Sequence, residues 1–102
     1  MNYFDAKDTS EKVVLTFDFS PGLDAGETLQ GAISVTVESS LLPDLTPDAI
    51  LNGAALFDSS STKVYQPVQG GVTDADYIIK VVVDTSNSQK TLAINSVLPI
   101  RR

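Results

Sequence analysis

Apolar residues recur at every second position through much of this chain. From Val13 to Phe19, the residues Val13, Leu15, Phe17 and Phe19 alternate with Val14, Thr16 and Asp18; from Leu29 onward, Leu29, Ile33, Val35 and Val37 keep the same step. A period of two is that of a strand with one face buried, so both segments are predicted as strands with their odd-numbered side chains inward. Between them, Ser20, Pro21, Gly22, Asp24 and Gly26 predict a loop through preset φ, left-handed tolerance and local side-chain hydrogen bonds. The strongest strand signal is Asp76 to Asp84, where Tyr77, Ile79, Val81 and Val83 make one face and Ile78, Lys80 and Val82 the other.

Weaker patterns fill the remainder. Glu38 to Pro47 is a connector in which Pro43 and Pro47 forbid a central strand. Thr46-Pro47-Asp48 has the order of a helix cap, but Asn52-Gly53 follows within about one turn, and Ala49 to Phe57 is predicted as a strand broken by a turn or bulge at Asn52-Gly53. Asp58 to Thr62 is a polar tip. Lys63 to Gln69 carries Pro67 and is predicted as an edge strand, because proline lacks a ladder donor. Gly70-Gly71 allows a sharp turn, Thr85 to Gln89 is a polar hairpin loop, and Lys90 to Ile100 is a last strand that Pro99 should end. Seven strands by this reading suit a β-sandwich. The spacing Asp74-Ala75-Asp76-Tyr77-Ile78-Ile79 is that of the tyrosine corner of immunoglobulin-like folds. Residues 1–11 show no periodicity and are read as an N-terminal arm, leaving 12–102 as one domain.

The length of 102 residues permits one core. With 42% hydrophobic and 20% charged residues the composition is that of an ordinary globular domain. Met1 is followed by Asn2, Tyr3, Phe4 and Asp5 instead of a basic and then apolar leader, so neither a signal peptide nor a membrane span is expected. Thirteen acidic against seven basic residues give a net charge of −6, which disfavours binding to a phosphate backbone. The chain contains no histidine and no cysteine, which removes serine-histidine triads, thiolate nucleophiles, disulfides and the usual zinc or iron sites. Serine-lysine chemistry stays formally open through Lys63, Lys80 or Lys90, without a Ser-x-x-Lys motif beside them. Asp74 with Asp76, and Asp44 with Asp48, are the acidic pairs to weigh for calcium, but no Asp-x-Asp-x-Asp-Gly loop contains them, and no cofactor is expected. Asp18, a charge between two phenylalanines, either faces solvent or bonds the backbone of the Ser20-Pro21 turn. Composition and spacing alone therefore name a fold and no chemistry.

Several short elements go further together. Ala6-Lys7-Asp8, Phe17-Asp18-Phe19-Ser20, Leu23 and Gly26-Glu27-Thr28-Leu29, followed by Ile50-Leu51-Asn52-Gly53, Gly70-Gly71 and the Asp74 to Tyr77 turn, resemble a family of small tailed-phage virion proteins described as fibre-tail adaptors. The resemblance implies a single immunoglobulin-like β-sandwich that serves as a structural part of the particle. It implies a place in the virion tail after assembly in the host bacterial cytoplasm. The implied partners are other tail and fibre proteins, in a symmetric multi-copy assembly, with neither nucleic acid nor membrane. The motifs are fold and turn motifs, so no enzymatic activity is expected. The alternative is a carbohydrate-binding or adhesion module presenting the loops Leu41 to Asp48 and Asp58 to Thr62, although a chain without tryptophan is poorly equipped for a sugar platform.

For an adaptor, the candidate contact residues are Tyr3, Phe4, Asp5 and Lys7 in the arm, Tyr65 on the Pro67-bearing strand, and Arg101 and Arg102 at the C-terminus. Aromatic and arginine side chains are enriched at interfaces. Sheet edges are the second candidate, since an unpaired edge can accept a strand from a neighbour; the Pro67-bearing strand and the first strand are the edges predicted here.

Overall fold

The computed structural model describes residues 2–39 and 46–101. Its strands are β1 (Asn2–Tyr3), β2 (Lys7–Asp8), β3 (Lys12–Asp18), β4 (Leu29–Ser39), β5 (Leu56–Phe57), β6 (Lys63–Gln69), β7 (Asp76–Thr85) and β8 (Thr91–Arg101), with single 3-10 turns at Ser20–Gly22 and Pro47–Ile50. No α-helix occurs among the described residues, and none of their helices is long and apolar enough to cross a membrane. One sheet runs β1-β8-β7-β4 with β2 also on β8; the other runs β3-β6-β5. The pieces β1 and β2 both lie parallel to β8, in one line interrupted at residues 4–6, so they count as one broken strand and bring the total to seven.

The alternation seen in the sequence sets which side chains meet. Leu15 and Phe17 of β3, Val64 and Val68 of β6, Leu29 and Val37 of β4, Tyr77, Ile79, Val81 and Val83 of β7, and Leu98 and Ile100 of β8 form one buried cluster between the sheets. Every one of these positions is on the face that the period of two assigns, and that continuous apolar layer is what holds the two sheets together. The segments Val13–Phe19 and Leu29–Val37, adjacent in sequence, do not pair with each other: β3 pairs β6 and β4 pairs β7, so the loop between them crosses from one sheet to the other.

Three expectations are corrected. The Pro67-bearing strand is central in its sheet, flanked by β3 and by β5 together with the Leu51–Val68 bridge. Proline is tolerated there because the Pro67 carbonyl accepts from Asn52 N–H at 2.9 Å, on the side away from β3. A residue's N–H and C=O point to the same side of a strand, so the missing donor faces the irregular 51–55 segment and leaves the β3–β6 ladder intact. Second, Pro99 does not end the last strand, which continues through Ile100 and Arg101 because β2 pairs alongside it there. Third, Ala49 and Ile50 belong to the 3-10 turn that Pro47 begins, and only Leu56–Phe57 of the expected 49–57 strand is a ladder segment. Within residues 1–11, Phe4 packs edge-on against Phe17 at 5.3 Å between ring centroids, and its N–H donates to Val97 O at 2.9 Å.

At the start of β7 the Tyr77 ring is fully buried and its hydroxyl accepts a hydrogen bond from Val72 N–H at 2.9 Å. Gly71, with φ +103°, lets the preceding turn pass so close that a Cβ there would stand 2.9 Å from Ile100 Cγ1. Only glycine fits that combination of left-handed backbone and contact.

Candidate interaction surface

Several ionisable side chains hold turns. Asp18 is exposed and also satisfies the turn after β3: its Oδ1 accepts from Ser20 N–H at 2.9 Å and from Ser20 Oγ–H at 2.7 Å. Those bonds, the hydroxyl first, hold its carboxyl below the usual carboxylate range. Asp58 does the same for the polar tip, accepting from the N–H groups of Thr62 and Lys63. Glu27 joins two distant segments. Its Oε1 accepts from Asp24 N–H and from Lys90 Nζ, both at 2.8 Å, and its Oε2 from Thr85 Oγ–H at 2.9 Å. The Lys90 ammonium is the main reason the Glu27 carboxyl is lowered, and Glu27 in turn raises Lys90. Lys90 is thus a structural partner in an ion pair. Lys80 is exposed on the outer face of β7, and no serine is its ladder partner, since Thr36 and Asn95 flank it. Among the described residues no three His, Cys, Asp or Glu side chains cluster as a metal site. Asp76 pairs with Arg101, whereas Asp44 lies outside the described residues.

The seven proposed contact residues fall in different environments. Lys7 is buried, and its ammonium donates to the carbonyls of Asp8 at 2.8 Å and Gly70 at 2.7 Å, tying β2 to the glycine turn. Burial pushes its pKa below the usual lysine value. Phe4 is half-buried against Phe17. Arg101 folds back, donating from Nη2 to Asp76 Oδ1 at 2.9 Å and from Nη1 to Ile100 O at 2.8 Å. Tyr3 and Asp5 are exposed, Tyr3 at 71%. Tyr65, at 37%, sits in a different place, on the outer face of the three-stranded sheet beside exposed Leu56 and diagonal to exposed Val14. Arg102 lies outside the described residues, as does most of the Leu41 to Asp48 loop. Phe17, Phe19 and Tyr77 are in the core, so the exposed rings Tyr3 and Tyr65 stand on separate faces and make no shared platform.

What the sequence did not disclose is the seam between the sheets. On one flank of the molecule the β3 edge of one sheet faces residues 3–7, which border the other. Two open cavities follow this seam. One of about 420 Å³ lies between residues 4–7 and Val13–Thr16, and one of about 350 Å³ between Tyr3-Phe4, Thr16–Asp18 and the β8 residues Ile94 and Ser96. Phe4 and Thr16 line both. Among the described residues no strand pairs with the outer side of β3.

A small all-β domain whose charged groups fasten turns, with an open strand edge and exposed apolar side chains outside its core, belongs to the class of structural and binding modules. Residues 7–95 match the family described as podophage GP4 fiber-tail adaptor protein gp77, and the chain belongs to that family. A comparison with curated proteins found no match, and one with solved structures found none either. The family is that of a structural tail component, in agreement with the resemblance carried by the Ala6-Lys7-Asp8, Phe17–Ser20 and Gly26–Leu29 elements.

Proposed function

We propose that this protein is a virion adaptor that links the phage tail, at its hub or neck, to fibres or other accessory tail proteins. The observation that carries the reading is the family match across residues 7–95. The ion pairs and turn-capping carboxylates support it, since they give a rigid body without a reactive side-chain constellation. Assembly takes place in the host bacterial cytoplasm, with several symmetric copies in the tail whose repeated weak contacts gain strength through avidity.

The domain within this reading is an immunoglobulin-like sandwich of residues 12–102, with residues 1–11 as its N-terminal arm. Three features support it: the strand order β8-β7-β4 opposed to β3-β6-β5, the parallel lay of β1 and β2 on β8, and the Tyr77 hydroxyl bonded to Val72 five residues upstream. Tyr3 and Asp5 in the arm and Tyr65 on β6 are the candidates for direct contact, while Phe4, Lys7 and Arg101 act by fixing the surface that carries them.

Quantitative mass spectrometry of purified particles tests the function. The protein is expected in the tail fraction at a fixed ratio to the tail proteins. Its absence from particles that are complete and infectious would remove the adaptor reading.

A further inference from the structure

We infer that the seam along β3 is a receptor for one extended polypeptide segment of another virion protein, which adds to β3 as a further strand. This deepens the adaptor reading and rests on it for the identity of the partner.

The backbone geometry defines what the seam accepts. Val14 is in register with Pro67, and Pro67 turns its carbonyl away from β3 toward Asn52. Opposite residues in an antiparallel pair exchange both hydrogen bonds or neither. Val14–Pro67 is therefore a non-bonded pair, and the N–H and C=O of Val14 point to the open side. The strand period of two places those of Thr16 there as well. The inward sense of the odd residues is seen directly at the strand's end, where Phe19 N–H donates to Thr62 O at 3.0 Å. β3 thus presents a regular row of donors and acceptors over its seven residues, about 23 Å of edge at the usual strand rise.

The other wall selects the occupant. Residues 4–7 stand opposite this edge, leaving cavities of about 420 and 350 Å³ on the two sides of Phe4. Both cavities lie along this one strand edge, so the occupant they suit is an extended chain paired with β3. Ser96, only 2% exposed, is among the residues lining the smaller cavity, and its buried hydroxyl has no hydrogen-bond partner. A buried hydroxyl left unpaired is destabilising, so this is a position where an incoming polar side chain gains. The rim is acidic on balance: Asp5, Glu11 and Asp18 are exposed along the seam against exposed Lys12 at the start of β3, and Lys7 directs its ammonium to backbone carbonyls. The segment that fits has alternating apolar residues, a hydrogen-bonding side chain that reaches Ser96, and basic residues flanking the run.

The test uses the full chain and synthetic peptides of about twelve residues tiling the tail and fibre proteins of the phage, a length chosen to cover the edge at about 3.3 Å per residue. Binding is followed by fluorescence anisotropy, and amide exchange is read at Val14 and Thr16. One or a few alternating, basic-flanked peptides are expected to bind and to protect both amides. Val14→Pro leaves the β3–β6 ladder whole but removes one outward donor and puts a ring in the seam, so binding should weaken about tenfold or more, beyond the loss of one net hydrogen bond. Thr36→Ala, at an exposed position of β4 in the other sheet, should change it by less than about twofold, as expected of a residue outside the contact. If Val14→Pro fails to fold, the amide protection in the unaltered chain decides the matter by itself. Absence of any binding peptide, binding without protection of Val14 and Thr16, sensitivity to Thr36→Ala but not Val14→Pro, or a self-dimer that protects these amides in place of a peptide would each overturn the proposal. Failure here leaves the particle mass spectrometry unaffected, so the seam and the adaptor role fail separately.

Discussion

Glu27 shows how a single side chain can hold two loops without any pattern announcing it. It lies in a Gly-Glu-Thr-Leu run that reads as turn and strand entry, yet its partner Lys90 is 63 positions away. Only the fold brings the two together, so alternation and turn chemistry could not have found the pair. Asp18 was more legible, because its partner Ser20 is local, and both of its expected roles hold at once: it is exposed and it bonds the turn. The Glu27 contact has a pH signature. Its folded pKa lies below the ordinary 4.5, so the stability it contributes is present above that value and is lost as pH falls through the folded pKa. Lys90, raised above 10.5, contributes below that pH and loses its contribution as pH rises through the folded value. Glu27→Gln should therefore flatten the acid limb of a stability–pH curve measured by urea denaturation, with little difference between variant and parent at the lowest pH. Tyr77→Phe keeps the buried ring and strands the Val72 N–H; a loss of roughly 1–2 kcal/mol in the same assay is expected. Full retention of stability would mean that water takes over the bond.

At the scale of elements, the alternation was a reliable guide to faces and a poor guide to neighbours. β3, β4 and β7 bury the side that the sequence assigned them. Which sheet each strand joins is a matter of loop path, and nothing in a period of two encodes it. The bulge in β4 is hidden for a related reason: Gly31 and Ala32 are inserted between Gln30↔Asp84 and Ile33↔Val83, and two extra residues keep the in-out phase unchanged. Pro67 misled because the rule about proline concerns one side of a strand, and only the direction of its carbonyl shows which side is affected. The N-terminal segment was unreadable by period since its ladder pieces are two residues each. Its contribution can be measured. Phe4→Ala should lower stability by about 2 kcal/mol, less than a fully buried phenylalanine would cost, whereas Tyr3→Ala should stay within about 0.5 kcal/mol. Equal effects of the two in thermal or urea melts would contradict the packing of Phe4 on Phe17.

For the whole molecule, class and family were legible, and the seam was not. Alternation and ordinary composition already pointed to a single all-β domain. The seam depends on two segments meeting from opposite sheets, a property of the closed structure alone. Its place is consistent with an elongated body of 42 × 22 × 22 Å that leaves its flanks open to neighbours.

The parallel course of β1 and β2 on β8 has a mechanical consequence. Because the strands run in the same direction, tension applied between residue 2 and residue 101 pulls the paired strands past one another and loads their rungs together, in shear, instead of peeling them one at a time. The buried Lys7 ammonium adds a tie from this strand pair to the Gly70 turn. Forced unfolding is set by the barrier and not by equilibrium stability. In single-molecule pulling, attachment at residues 2 and 101 should therefore give a higher rupture force than attachment across the β7–β8 hairpin at residues 76 and 101, where the load opens an antiparallel pair from its end. A module built this way bears load along its own chain.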